Sequence, residues 1–461
     1  MLPGELAALV DLLESLVEER TLLADAPPDL RHRLLVAAGR VSRPSREEQR
    51  ALRRAMDRRD RQETRAADTL ARDATGIRAA RRAPIFSAPP ALPEAERPTP
   101  GTLRETAKCY VCKAEFREVH SFYDQMCIPC GEFNLQKRHQ TADLRGRYAV
   151  VTGARVKIGY HAGLKLLRAG CHVIVTTRFP RDAASRYASE PDYPEFHDRL
   201  EVHGLDLRHT PSVEAFADEL ASRLPRLDYL VNNACQTVRR PPGFYRHLVE
   251  AEAHAALPGG KLAGPALPPA MLLPGDQADD VRLFPIGKLD ADLQQVDLRS
   301  HNSWRLTLAE VPTIELLEVQ LVNAIAPFVL AARLKPRMLA TPNPDKHVVN
   351  VSAMEGQFYR TFKTDRHPHT NMAKAALNML TRTSAADYEK DGIHMNSVDT
   401  GWITDEDPHE VAERKVAVHG FSPPLDVVDG AARILAPIFD GELTGEHVHG
   451  LFLKDYKPCA W

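Results

Sequence analysis

Residues 147–178, RYAVVTGARVKIGYHAGLKLLRAGCHVIVTTR, decide the fold. The apolar run Tyr148–Val151 leads into a glycine-bearing loop, Thr152–Gly159. An amphipathic stretch follows, Tyr160–Ala169, with Ala162, Leu164, Leu166 and Leu167 as its apolar positions. Gly170 stands where a helix C′ residue belongs. The β-branched run His172–Thr177 completes a strand–loop–helix–strand unit long enough for a parallel crossover. Such a unit aims a helix N-terminus at an anion, with glycines where backbone must approach a pyrophosphate. It predicts an α/β fold with a Rossmann-type, doubly wound parallel sheet and a dinucleotide site.

Further strand and helix signals continue downstream. Leu200–Leu205 reads as a third strand, followed by Asp206 and Leu207, and helix signals run from Pro211 to Leu224. The stretch LDYLVNNAC gives a fourth strand ending in Asn232-Asn233-Ala234-Cys235. A helical period returns from Thr313 through Ile314, Leu317, Leu321, Val322 and Ile325. HVVNVSAMEGQF gives a fifth strand with its exit loop, Ile393–Val398 a sixth, residues 424–440 a late helix and Val448–Leu453 a last strand. Arg178, just past the second strand, suits a ribose 2′-phosphate, where an acid would suit the 2′-hydroxyl. With Arg155 and Lys157 in the glycine loop, it points to NADP rather than NAD.

In motif order and spacing, residues 145–455 resemble the short-chain dehydrogenase/reductase family. That family's loop reads Thr-Gly, three residues, Gly, one residue, Gly. Thr152, Gly153 and Gly159 match it, and Lys157 replaces the middle glycine. The resemblance implies a cofactor-binding set of Gly153, Arg155, Lys157, Ile158, Gly159, Arg178, Asp206, Leu207, Asn233, Lys374, Gly401 and Thr404. Asp206 would lie at the adenine edge. Asn233, from a segment resembling Asn-Asn-Ala-Gly, would join strand ends beneath the cofactor. Gly401 and Thr404, in VDTGWITDEDP, would lie at the nicotinamide end, with Thr400 in place of the family's proline.

The same resemblance implies a catalytic set. Asn323 matches the helix asparagine that holds a water near the active-site lysine. Lys374, in HTNMAKAALNML, matches the lysine of Tyr-x-x-x-Lys, but the tyrosine position is Thr370. A threonine hydroxyl is a far weaker acid than a phenol. Tyr359 and Lys363 repeat the spacing nearby, without the helix that should follow. His369 has a suitable ordinary pKa but the wrong helical phase. The family's serine aligns with Ala353, with Ser352 just before it. The acid is thus expected from Tyr359, Thr370, Ser352 or water.

Ahead of this domain lie three other segments. Residues 1–82 read as a helical, arginine-rich region: Leu6, Leu9, Val10, Leu13, Leu16 and Val17 predict a helix over 4–23. Residues 40–82 hold fourteen arginines, seven acids and no lysine. Interspersed acids and the lack of aromatic side chains favour a solvated, ion-paired helix over a nucleic-acid arm. Residues 83–104 are a proline-rich linker. Residues 105–140 carry Cys109, Cys112, Cys127 and Cys130, two Cys-x-x-Cys pairs separated by fourteen residues. Two such knuckles complete the tetrahedron zinc prefers, which predicts a structural zinc in a ribbon-like lobe. Within the large domain, 145–461, residues 236–312 form an insert with many prolines and a Gly-Gly step at 259–260. It reads as a substrate lid or partner-binding element, or as a disordered surface loop.

The 461 residues carry 60 basic and 62 acidic side chains, so no global field points to nucleic acid. The odd cysteine count suits a reducing compartment and a metal, not a disulfide framework. No uninterrupted apolar run predicts a membrane span, and Glu5, Asp11 and Glu14 argue against a secretory signal. The expectation is a cytoplasmic, NADP-dependent oxidoreductase acting on a small-molecule carbonyl or hydroxyl. A homo-oligomer and a protein partner at the zinc lobe or insert stay open. The second reading is a nucleotide-binding pseudoenzyme that regulates a partner.

Overall fold

The structure, a computed structural model, describes residues 3–89, 93, 97, 101–254, 261–263, 282–359, 363–404, 406–411, 414–415 and 422–461. The Gly-Gly step at 259–260 lies outside them. The chain divides into two compact units, Met1–Ala67 and Asp68–Trp461. The first holds α1 (Pro3–Glu18), α2 (Pro28–Ser42) and most of α3 (Arg46–Asp73). None of its described residues is buried. The helix expected over 4–23 breaks at Glu19, whose carboxylate accepts from the Thr21 hydroxyl. Such local bonds compete with the helix ladder. On α3, Arg59 reaches Glu63 at 3.5 Å across one exposed turn.

The second unit opens with α4 (Gly76–Arg82), the hairpin β1 (Thr102–Lys108) and β2 (Glu115–Glu118), and α5 (Ile128–His139). The quoted stretch follows as β3 (Tyr148–Thr152), α6 (Lys157–Arg168) and β4 (His172–Thr177). Next come α7 (Pro180–Ala188), α8 (Tyr193–Phe196), β5 (Leu200–Gly204), α9 (Thr210–Arg223), β6 (Tyr229–Asn232) and α10 (Pro242–His254). A short strand inside the insert is β7 (Lys261–Ala263). Then follow α11 (Thr313–Gln320), a π-turn at Leu321–Ile325, α12 (Ala326–Leu339), β8 (Lys346–Ser352) and α13 (Pro368–Glu389). The chain ends with β9 (Ile393–Asp399), α14 (Val427–Thr444), β10 (Phe452–Lys454) and β11 (Lys457–Cys459).

The sheet has nine strands in the order β11-β10-β9-β8-β6-β3-β4-β5-β7, parallel except for β11. Strand order reverses on either side of β3, so the carboxyl ends of β3 and β6 border a topological switch point. Buried Leu166, Tyr187, Leu435 and Ile438 fill one face of the sheet. Phe216, Leu220, Leu330 and Leu334 fill the other. A third core, of Leu103, Phe116, Tyr123 and Met126, is continuous with Ile403, Leu425 and Val427 of the sheet domain.

Three expectations change. The last strand starts at Phe452, not Val448, because the Asn396 side chain takes the neighbouring backbone. Its Nδ2 donates to Val448 O at 2.7 Å and its Oδ1 accepts from Leu451 N at 3.2 Å. The C-terminal residues add the unforeseen β11. Thr313–Leu339 is, by length and composition, long and apolar enough to cross a membrane, with mean hydropathy 1.6. Half of its most apolar 18-residue window is buried inside the fold, and the stretch packs against α9 and α13.

Candidate active site

The glycine loop is shaped by three left-handed or crowded positions. Gly153 has φ +66°, and a Cβ there would lie 2.8 Å from Ala234 Cα. A Cβ on Gly159 would lie 2.4 Å from Gly153 O and 2.3 Å from Asn233 Nδ2. Lys157 has φ +54°, so it adopts the left-handed backbone that explains a glycine at this position. That conformation costs an L-residue about 1–2 kcal/mol. Asn233 Nδ2 donates to Thr152 O at 3.0 Å and Gly153 O at 3.2 Å, and Ala234 N donates to Thr152 Oγ1 at 3.0 Å. The Asn-Asn-Ala segment therefore clamps the loop from below.

Above the switch point lies a cleft of about 1330 Å³. Gly153, Arg155, Lys157, Ile158, Gly159, Arg178, Asp206, Leu207, Asn233, Lys374, Gly401 and Thr404 all line it. Thr176 Oγ1, in its wall, is buried with no hydrogen-bond partner among the described residues. Arg178 lies over the Tyr245 ring at 4.4 Å and makes no ion pair among the described residues. Arg155 differs from the expected phosphate-facing charge. Its Nη1 donates to Asp182 at 2.8 Å and its Nη2 to Gln294 at 3.2 Å, so its donors serve the protein. Burial alone would raise the Asp206 pKa. Hydrogen bonds from Arg208 outweigh burial and hold that carboxyl below its usual range. Gly401, with φ +80°, donates its N–H to Asp399 Oδ1 at 2.7 Å, and Thr404 Oγ1 donates to Glu406 at 2.9 Å.

The described part of the insert is ordered against this cleft. Arg186 donates to Asp292 O at 2.9 Å and Leu293 O at 3.1 Å, and Phe86 N donates to Ala291 O at 2.8 Å. Burial raises the pKa of Asp292, and Lys157 opposes that rise. Asn302 Nδ2 donates to Glu406 O at 2.8 Å, which fixes the segment to the loop after β9. Residues between 288 and 304 thereby line the cleft.

At the other end, Lys374 donates from Nζ to Val351 O at 2.7 Å. Ser352 Oγ donates to Asn378 Oδ1 at 2.5 Å, so its proton is taken. Asn323 sits in the π-turn, a common device at functional sites. Its side chain accepts from Gln236 N at 2.8 Å and donates to Gln236 O at 3.0 Å, clamping backbone rather than facing the cleft. Tyr359 is corrected: it is 92% exposed and borders a separate shallow groove beside Trp461. The right spacing of Tyr359 and Lys363 therefore does not bring the phenol into the cleft. His369 is buried, its ring nitrogens have no hydrogen-bond partner among the described residues, and it does not line the cleft.

Thr370 is buried and touches a residue that the sequence reading passed over. His367 caps α13 in a left-handed conformation, φ +41°, and lines the cleft. Its Nδ1 lies 2.9 Å from Thr370 Oγ1, which donates to His367 O at 2.8 Å. Trp304, from the insert, stacks on the imidazole at 3.9 Å and 4°. The signal was available: 367, 370 and 374 share one helix face, whereas 369 does not.

The four cysteine Sγ atoms lie within 4.8 Å of one another, with Cys112 and Cys127 at 3.7 Å. Tetrahedral coordination at a Zn–S distance of about 2.3 Å places sulfurs about 3.8 Å apart. The cluster can therefore hold a metal ion. His120 is committed elsewhere, accepting at Nδ1 from Phe122 N at 3.0 Å and facing Glu132 through Nε2 at 2.9 Å. The first knuckle also reaches the cleft, which the sequence did not reveal. Tyr110 and Lys113 line it, and Tyr110 Oη accepts from Trp402 N at 3.0 Å.

Two family models match this chain. Residues 147–251 match the short chain dehydrogenase model, and residues 288–419 match the enoyl-(acyl carrier protein) reductase model. The chain belongs to the short-chain dehydrogenase/reductase family. It is 35% identical over 350 residues to uncharacterized protein R665 of Acanthamoeba polyphaga mimivirus, covering 72% of this chain and 71% of that protein. It is 38% identical over 104 residues to dehydrogenase/reductase SDR family member 13 of Bos taurus, covering 22% of this chain and 27% of the relative. Among solved structures, it is similar to a metagenomic short-chain oxidoreductase in complex with NADP. That match has 19% identity and a TM-score of 0.42, covering 68% of this chain and 97% of the other. A Pseudomonas aeruginosa RhlG/NADP active-site complex matches at 18% identity and a TM-score of 0.46, covering 68% and 95%. Lys374 and Asn323 are the residues expected at this family's lysine and asparagine positions, and Ala353 and Thr370 those expected at its serine and tyrosine positions.

Proposed function

We propose that this chain is an NADP-dependent oxidoreductase that transfers a hydride between the nicotinamide and a carbonyl or hydroxyl group of a small-molecule substrate. The carrying observation is the left-handed backbone at Lys157. The loop keeps its anion-receiving shape although the residue that makes that shape easy is gone. Bound NADP would supply a two-electron hydride donor or acceptor. Gly153, Ile158 and Gly159 would admit its pyrophosphate, Lys157 would add charge, and Arg178 would pair with the 2′-phosphate. Asp206 and Leu207 would border the adenine. Lys374, Gly401 and Thr404 would orient the nicotinamide end.

Several further assignments accompany this reading. Cys109, Cys112, Cys127 and Cys130 hold a structural zinc. Exposed Leu317, Ile325, Phe328, Met372 and Met379 on α11–α13 fit a homo-oligomer contact. Seven free cysteines fit a cytoplasmic setting. The second reading, a nucleotide-binding pseudoenzyme that regulates a partner, is favoured by Ala353 and Thr370. Incubation with NADPH and a panel of aldehydes, ketones and quinones, followed by nicotinamide absorbance, separates the two. The enzyme reading expects turnover that falls by about 100-fold or more in Lys374→Ala. Tight NADPH binding without turnover would support the pseudoenzyme.

A further inference from the structure

The tyrosine of this family has no counterpart at position 370, and none of the three side chains expected to substitute for it is placed to do so. Tyr359 is exposed outside the cleft, the Ser352 hydroxyl donates its hydrogen bond to Asn378, and Thr370 is buried behind another side chain. That other side chain is an imidazole. The ring of His367 lies against the Thr370 hydroxyl and fills space that a residue shorter than tyrosine leaves open.

We propose that His367 is the proton donor and acceptor of this site, with Thr370 and Trp304 holding its ring. The assignment rests on the oxidoreductase reading above. Thr370 Oγ1 donates to His367 O, so its own acceptor side faces Nδ1. Thr370 Oγ1 and, at 3.5 Å, Asn371 Nδ2 hold the Nδ1 edge of the ring, which leaves Nε2 as the other edge of a residue that lines the cleft. Among the described residues, the hydrogen bonds of this ring are made at Nδ1, with Thr370 and Asn371. Trp304 fixes the ring plane from one face, and the N–H of His367 is tied to Leu306 O at 2.9 Å. A left-handed backbone at a non-glycine residue concentrates at functional sites.

In the reductive direction, protonated Nε2 gives its proton to the substrate oxygen as the carbonyl carbon receives two electrons with the hydride. The products are an alcohol, oxidised nicotinamide and a neutral imidazole, which recovers a proton from solvent. The oxidative direction reverses each transfer. Burial lowers the His367 pKa below the ordinary histidine value. Glu355 opposes that shift, while His369 and Lys363 reinforce it. Reduction should therefore quicken as pH falls through this lowered value, and oxidation as pH rises through it.

The stack supplies a readout independent of turnover, because a protonated imidazole against an indole quenches its emission. Trp304 is one of three tryptophans, so the difference between the protein and Trp304→Phe isolates its signal. We expect that signal to fall in one step below pH 6.5, to lose the step in His367→Gln, and to shift its midpoint in Thr370→Val. Thr370→Ser should restore the midpoint. In parallel, His367→Gln should bind NADPH within about twofold of the unmodified protein while its turnover drops by about 100-fold or more. A Trp304 titration unchanged by His367→Gln, or turnover within threefold, would overturn the assignment. So would NADPH binding without turnover of any carbonyl by the unmodified protein. Failure of the unmodified protein to bind nicotinamide overturns the oxidoreductase reading instead, and the titration still reports whether the dyad forms.

Discussion

The two ends of one cleft have diverged in different ways. At the nucleotide end, a residue changed and the geometry stayed: Lys157 occupies a glycine's position with a glycine's backbone angle. At the substrate end, the residues expected at the proton-transfer positions are Ala353, which has no hydroxyl, and Thr370, a far weaker acid than a phenol. The difference shows what each end demands. A pyrophosphate is held largely by backbone shape and N–H direction, which a lysine can satisfy under strain. A proton relay needs a particular acid at a particular place, so losing the phenol calls for another group.

The comparison can be broken most severely at Gly159. A Cβ there meets Gly153 O at 2.4 Å and Asn233 Nδ2 at 2.3 Å, atoms that cannot yield without reshaping the loop. Gly159→Ala should weaken nicotinamide binding by about 100-fold or more, on the order of 3 kcal/mol, in a fluorescence titration. Retained affinity would mean that the loop does not receive the pyrophosphate.

The next largest effect concerns the cysteine knuckle. Tyr110 Oη holds the N–H of Trp402, beside Gly401 in the loop after β9. Stripping the metal with a chelator should release that contact, lower the melting temperature and weaken NADPH binding at least several-fold. A metal-stripped protein with unchanged affinity would show that the lobe is merely attached to the cleft.

Arg178 sharpens the nucleotide side. Charge-assisted hydrogen bonds contribute about 1.5–3 kcal/mol, so Arg178→Ala should cost NADPH about 10-fold or more. NADH affinity should hardly move. Equal losses for both nucleotides would assign Arg178 to the adenine or to packing on Tyr245. Lys157→Gly should give the smallest change: relief of left-handed strain raises stability by about 1 kcal/mol, measured by thermal or denaturant unfolding.

Much of this was readable from local pattern. The β3–α6–β4 unit appeared because alternation, glycines and helical period lie within 32 consecutive residues, 147–178. The cysteine cluster appeared because a metal set made of two short knuckles has a local spacing. Contacts across long sequence distances did not appear. Arg155 looked like a phosphate ligand because nothing in the chain revealed Asp182 and Gln294 as its partners. Tyr359 looked like an acid because its spacing to Lys363 is right, but spacing does not say which way a loop leaves the sheet. His367 was missed because its importance comes from Trp304, 63 residues earlier, and from a helix cap that begins at that residue. The insert lacked a clear period because its described part is held by side chains of the sheet domain, such as Arg186.

The most direct test of a preserved nucleotide end is a titration of the metal-replete protein with NADPH and NADH, following nicotinamide fluorescence and melting temperature together. The account predicts tight NADPH binding with a raised melting temperature, and NADH binding about 10-fold or more weaker. Binding of neither nucleotide would contradict it, because Lys157 would then close the loop it was inferred to preserve.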